Sequence, residues 1–255
     1  MELSKIAEEA HVVGASKYAE DAAKEAGKAA DQVTDPTQRA KCQAAVAKVF
    51  ATIGRKSDAK KSASKANEAA GKIEELGTRV RQLRAVAEAY TAAGDDGTAA
   101  DVLKRAEQAA VSANETSVKV DLLREVAAGF TAMKKPDEVK RVIGEMEDIA
   151  KSEPDPATRV KVMTDVGSAL CKAGDKAAAV KVLNAAVDEA AKIEKHHVAT
   201  YRLCDIAEEL DKCGQGARAS EIVEVAYKRA GSTPEPDLQT EALAKVNNLR
   251  KQLAR

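Results

Sequence analysis

The chain has 255 residues, 44% of them apolar, with 41 Lys plus Arg balancing 41 Asp plus Glu. Zero formal net charge removes the basic surplus from which a nucleic-acid binder draws most of its affinity. Abundant Ala, no Trp, two Phe and four Tyr point to an all-α protein, because strands draw on β-branched and aromatic side chains.

The first residues, with Glu2, Lys5, Glu8 and Glu9 in an amphipathic pattern, lack the apolar stretch of a secretory signal. No run approaches the roughly 20 apolar residues that cross a bilayer, so a cytoplasmic protein is expected. A period of 40 then organises everything that follows. Gly14, Gly54, Gly94, Gly174 and Gly214 recur at that step, interrupted by Lys134. Ile6, Val46, Val86, Val126, Val166, Ile206 and Val246 form a second register, and Ala10, Phe50, Tyr90, Phe130, Leu170 and Leu210 a third. A fourth runs Leu3, Gln43, Leu83, Leu123, Met163, Leu203 and Leu243. Repeats are thus expected at 1–39, 40–79, 80–119, 120–159, 160–199 and 200–239, with a cap helix in 240–255, all within one domain, 1–255.

In the first two repeats the second helix carries Ala22, Ala23 and Ala26, then Ser62, Ala63 and Ala66. Later repeats have Val102-Leu103, Val142-Ile143 and Val182-Leu183 at the same places. Alanine buries far less apolar area, so residues 1–78 are expected to open before 80–230. Asp35-Pro36 and Asp155-Pro156 read as an N-cap followed by Pro at the first helical position, and Glu235-Pro236 has the same phase. Arg39, Arg79, Lys119 and Arg159 follow at one further shared position.

In the third repeat Leu83, Val86, Ala87 and Tyr90 make one helical stripe, and after Gly94 come Ala99, Val102, Leu103, Ala106 and Ala110. Each repeat therefore reads as helix A, a tight turn at the glycine, then helix B, each helix roughly 15 to 18 residues long. Glycine accepts the positive φ past a helix end; Lys134 takes that place in the fourth repeat at some strain, with Pro136 and Asp137 opening the next helix. A last helix is expected from about Thr240 to Ala254, with Asn247 and Arg250 at core registers, as suits a terminal repeat that faces water.

Cys42, Cys171, Cys204 and Cys213 show no metal or framework spacing and read as reduced thiols, with a redox pair of Cys171 and Cys213, near the ends of successive A helices, as the minor alternative. His196-His197 reads as a linker or helix start, since adjacent residues diverge on a helix and cannot converge on a metal. No nucleophile elbow, phosphate loop, paired-carboxylate motif or HExxH occurs, so neither a catalytic residue, a metal nor a cofactor is expected.

With these registers laid out, the repeat resembles the tetratricopeptide motif. The third repeat supplies Leu83, Val86, Ala87, Tyr90, Gly94, Ala99, Leu103 and Ala106, and the fifth Met163, Val166, Gly167, Leu170, Gly174, Ala179, Leu183 and Ala186. The motif's usual length is about 34 residues, so each repeat here is longer, and its closing Pro and its Trp are missing. The resemblance implies a right-handed α-solenoid of about six antiparallel helix pairs plus a C-terminal capping helix, with the A-helix side as a concave binding surface.

On that side the stripe opposite the core reads Lys41, Ala44, Lys48 and Ala51; Arg81, Arg84, Glu88 and Thr91; Asp121, Arg124, Ala128 and Thr131; Lys161, Thr164, Ser168 and Cys171; Tyr201, Cys204, Glu208 and Asp211. Its middle is basic and its C-terminal end acidic, with Asp205 and Glu209 adding to the latter. The charges either solvate an exposed face or clamp an acidic peptide or carboxylate through Arg81, Arg84 and Arg124, for which the guanidinium fork is suited. The partner-binding set is Arg81, Arg84, Glu88, Arg124, Lys161, Tyr201 and Glu208. The resulting expectation is a non-catalytic protein–protein interaction scaffold, without nucleic acid or membrane as partner and with stacking into a homodimer compatible. The alternatives are a ligand-sensing regulatory solenoid and, less favoured, an RNA-binding helical repeat, which would need base-reading residues at fixed phase.

Overall fold

A computed structural model describes residues 2–254, with side chains from Lys5 onward. The described residues form thirteen α-helices and no strand. Six consecutive pairs comprise α1 (Glu2–Val12) and α2 (Ser16–Asp31), α3 (Pro36–Thr52) and α4 (Lys56–Ala70), α5 (Leu76–Ala92) and α6 (Asp96–Val111). They continue with α7 (Thr116–Ala132) and α8 (Pro136–Ser152), α9 (Pro156–Lys172) and α10 (Lys176–Ala190), α11 (His196–Lys212) and α12 (Gly216–Gly231), before α13 (Pro236–Leu253). The last helix therefore starts four residues earlier than its apolar stripe announces, because Pro236 supplies a ready first turn.

Every A-to-B turn is built alike. In the third repeat the Gly94 N–H bonds to the Thr91 carbonyl and the Asp95 N–H to the Tyr90 carbonyl, both at 2.9 Å. These are the paired closures of a Schellman turn, which requires a left-handed residue between them. Gly94 has φ +75°, and Lys134, holding the same place, has φ +56°, so the lysine does adopt the glycine conformation. Asp95 then caps the next helix, accepting from the Thr98 N–H at 3.3 Å, and Asp175 does the same for Ala178 at 3.0 Å.

The B-to-A links follow the second expected pattern. Asp35 accepts from the Gln38 N–H at 2.7 Å and Asp155 from the Thr158 N–H at 2.8 Å. Glu75 takes the Gly77 and Thr78 N–H groups at 2.8 and 2.6 Å without a proline after it. Glu235 precedes Pro236 but makes no side-chain capping bond. The arginine phase ties the link back on itself: Arg39 donates to the Val33 and Asp31 carbonyls, and Arg159 to those of Glu153 and Pro154 while pairing with Glu189. At this phase before α13, Gln239 donates to the Gly231 carbonyl at 2.7 Å.

Packing divides the chain into two compact bodies, Met1–Ala113 with Gly129–Lys135, and Asn114–Ala128 with Pro136–Arg255. In the first, α1 packs on α3 and α3 on α5, while α2 and α4 each pack on the A helix that follows. Ala7, Ala23, Ala26, Val46, Val49, Phe50, Ala59 and Ala93 form a core there. Gln43, standing where other repeats carry Leu or Met, is fully buried because its amide donates to Asp31 at 2.7 Å and to the Gly27 carbonyl at 3.3 Å. Ile6 departs from its register and is 50% exposed; the side chain of Leu3 lies outside the described residues.

In the second body α9 packs on α11 and α11 on α13, with α10 and α12 filling in behind. Its core centres on Leu183, Leu203, Ile206, Leu210, Ile222, Val223, Val246 and Leu249. On α13, Asn247 is exposed and Arg250 lies 3.9 Å over the Tyr227 ring while pairing with Glu224 at 2.5 Å. Polar groups at two core registers thus find water or a charge. No helix of the described residues is long and apolar enough to cross a membrane.

Candidate interaction surface

In the first body α3 is covered by α4, α1 and α5, and in the second α11 by α12, α9 and α13, which leaves a polar stripe along the A helices. Within that stripe the structure separates positions that the sequence groups together. Ala44, Thr164, Ser168 and Cys204 are buried, not exposed as the stripe implies. They are small enough to be covered by the neighbouring helix, whereas Arg84 and Arg124 at the register of Ala44 extend past it and stay partly exposed. Arg81 is exposed, and Glu88, Lys161, Tyr201 and Glu208 are half-buried.

In the first body the stripe is laced between repeats. Lys48 on α3 reaches Glu88 on α5 at 2.6 Å, and Arg84 lies 3.7 Å from the same carboxylate. Arg81 lies 3.8 Å from Glu75. The basic groups assigned to a clamp therefore already have acidic neighbours within the chain.

The second body holds a balanced four-member network. Lys161 sits 2.9 Å from Asp165 and 3.2 Å from Asp121, and Arg124 sits 3.2 Å from Asp121 and 3.8 Å from Asp165. Burial pushes the Asp165 carboxyl above its ordinary range against the pull of Lys161 and Arg124. Further along, Lys245 on α13 bonds to Asp205 on α11 at 2.8 Å, and Arg202 lies 3.3 Å from that carboxylate. Burial works against the Lys245 charge, but the Asp205 hydrogen bond and surrounding negative charge outweigh it and raise its pKa. The same ammonium is 5.3 Å from the centre of the Tyr201 ring, which His197 meets edge-on at 6.3 Å. His196 opens α11, so the adjacent histidines are a helix start.

Asp165 and Lys245 were not among the sequence candidates. Lys245 did have a signal, in opposite charges one period apart (Lys48 and Glu88, Asp121 and Lys161, Asp205 and Lys245), whereas Asp165 stands one period from the like charges Glu125 and Asp205 and had none.

The cysteines need a correction. Cys171 and Cys213 are joined as a disulfide between the end of α9 and the turn after α11, with Cα atoms 5.7 Å apart, inside the span that a disulfide bridges. Reduced thiols remain only at Cys42, half-buried, and Cys204, buried. Burial raises the Cys204 thiol to about 12, which leaves almost no nucleophilic thiolate near neutral pH. Among the described residues no group of three or more His, Cys, Asp or Glu side chains could hold a metal ion.

No family model and no curated protein matches the chain in sequence. Among solved structures it is similar to Ton1535 from Thermococcus onnurineus NA1, with 16% identity over 97% of this chain and 90% of that one, at a TM-score of 0.42. It is also similar to TPR-like repeats of a putative kinesin light chain from Podosopora anserina (17% identity, 78% of this chain, 98% of that one, TM-score 0.38). A third is a Rap protein complexed with Competence and Sporulation Factor (18% identity, 97% of this chain, 74% of that one, TM-score 0.35).

Proposed function

We propose that this chain of tetratricopeptide-like hairpins is a non-catalytic interaction module that takes a peptide or protein partner on its A-helix stripe. The observation that carries the reading is the lacing of that stripe by ion pairs between successive A helices, Lys48 with Glu88 and Lys161 with Asp121. Partly exposed pairs of this kind, open to solvent screening, add little stability. What they do is hold long charged side chains in fixed positions, which lowers the entropy a partner must remove on binding. A carboxylate from the partner exchanges for Glu88 at Arg84, or for Asp121 at Arg124, where the guanidinium fork offers it two donors. The favoured partner is therefore a segment carrying acidic groups.

The test uses the intact chain as bait, compared with Arg84→Ala/Arg124→Ala and with a control, Lys181→Ala/Lys228→Ala, on the B helices. Loss of a charged hydrogen bond costs about 1–3 kcal/mol at each arginine, so the first double variant should lose a true partner at least about tenfold while the control keeps it. Equal retention by both removes the A-helix assignment. A salt titration of the captured complex adds a second criterion, since a steep slope would instead identify phosphate contacts.

A further inference from the structure

We infer that Cys171 and Cys213 form a reversible clamp, a disulfide that locks the joint between α9 and α11 when oxidised and releases it by thiol exchange. The inference rests on the joint's own geometry and does not require the binding surface proposed above. The bond spans 42 residues, one repeat period plus two, and so links the end of one A helix to the turn that closes the next. It restrains the coordinate that otherwise stays soft in a stack of hairpins, the splay of one repeat against its neighbour.

The joint does not need the bond in order to form. At the equivalent places between α3 and α5 stand Ala51 and Ala93, which pack into the same core without any cross-link. Around the cysteines themselves, Leu203, Ile206 and Leu210 already join Met163 and Leu170 in one apolar cluster. The pair therefore adds a covalent option to a contact that is complete without it.

The two sulfurs differ in access. Cys213 is 1% exposed, while Cys171 is half-buried and belongs to the outward stripe of α9. An incoming small thiolate attacks Cys171 Sγ; the bond to Cys213 breaks, and Cys213 Sγ leaves with the electron pair and takes a proton. A second small thiol then attacks the mixed disulfide on its own sulfur side, freeing the Cys171 thiol and departing as the low-molecular-weight disulfide. Two small thiols are oxidised and one protein disulfide is reduced, and the reverse sequence closes the clamp.

The intact chain is equilibrated with reduced and oxidised glutathione at a series of ratios, quenched with acid, alkylated and weighed. Two of the four thiols should be protected at the oxidising end and all four alkylated at the reducing end, reversibly and with unchanged helical circular dichroism. Amide exchange at the end of α9 and in the α11–α12 turn should be at least about tenfold faster in the reduced form. Cys171→Ala/Cys213→Ala, which installs the residues of the α3–α5 joint, should show the faster exchange at every ratio. Failure to protect two thiols, loss of helix on reduction, or identical exchange in both forms would each overturn the clamp.

Discussion

Gly167 on α9 stands so close to Leu183 on α10 that a Cβ at that position would come within 2.6 Å of the leucine side chain. Ala7, Ala47, Ala87, Ala127 and Ala207 occupy the same register in other repeats, so the glycine marks a tighter hairpin and not a looser helix. Gly167→Ala removes a helix-weakening glycine, yet overpacking dominates, and the expected outcome is a loss of about 1–3 kcal/mol in urea unfolding. Adding Leu183→Val should recover part of it; a stabilised single variant would refute the close approach.

Lys134 is the one non-glycine residue of the described chain at positive φ. A left-handed non-glycine residue costs about 1–2 kcal/mol, partly offset in Lys134→Gly by the greater freedom of glycine when unfolded. The variant should gain about 0.5–1 kcal/mol, read as a higher denaturation midpoint at an unchanged slope.

Capping carboxylates set the acid limit. The side-chain bond from Thr158 holds Asp155 below its usual 3.8, and that from Thr78, with the Thr78 and Gly77 N–H groups, holds Glu75 below 4.5. The Thr98 N–H does the same for Asp95. With depressed folded values the unfolded chain binds protons first, so this stabilisation is complete above the ordinary values and drains away as pH falls through the lower folded ones. Asp155→Ala should cost about 1 kcal/mol at pH 7 and progressively less below pH ~4, and a constant difference across that range would contradict the capping role.

Hydrogen exchange should find the N-terminal repeats opening first. In α2 the buried residues are Ala19, Ala23, Ala26 and Ala30, and in α4 they are Ala59, Ser62, Ala63, Ala66, Ala69 and Ala70. By contrast α8 buries Val139, Val142, Ile143 and Met146. Each buried methylene adds about 0.8 kcal/mol, so the deficit accumulates along a helix. Uniform protection from residues 1–78 through 80–230 would count against it.

The repeat was legible because its evidence is periodic. Four registers at a fixed step, the Asp-Pro starts and the turn glycines each depend on local backbone chemistry, and the structure places helix ends where they point, including the left-handed Lys134. What escaped depends on which side chains meet across a joint. The pairing of Cys171 with Cys213 stood only as the minor alternative to reduced thiols, because a spacing of one period plus two is decisive only once the A-helix ends are seen to converge. Likewise Thr164, Ser168 and Cys204 look outward on a single helix and become buried when the next helix is stacked beside it. Helical periodicity assigns a face; it does not say how wide the neighbour's shadow falls.

In the third repeat Asp95 ends one helix through its N–H and starts the next through its carboxylate, so the turn contains no spare residue. A residue added or deleted there would swing the following helix by about 100° about its axis, and every apolar stripe downstream would miss its neighbour. The forty-residue count is in this sense a reading frame kept by geometry. Changes of length are tolerated in whole repeats, and tolerance for anything smaller is confined to the links between hairpins.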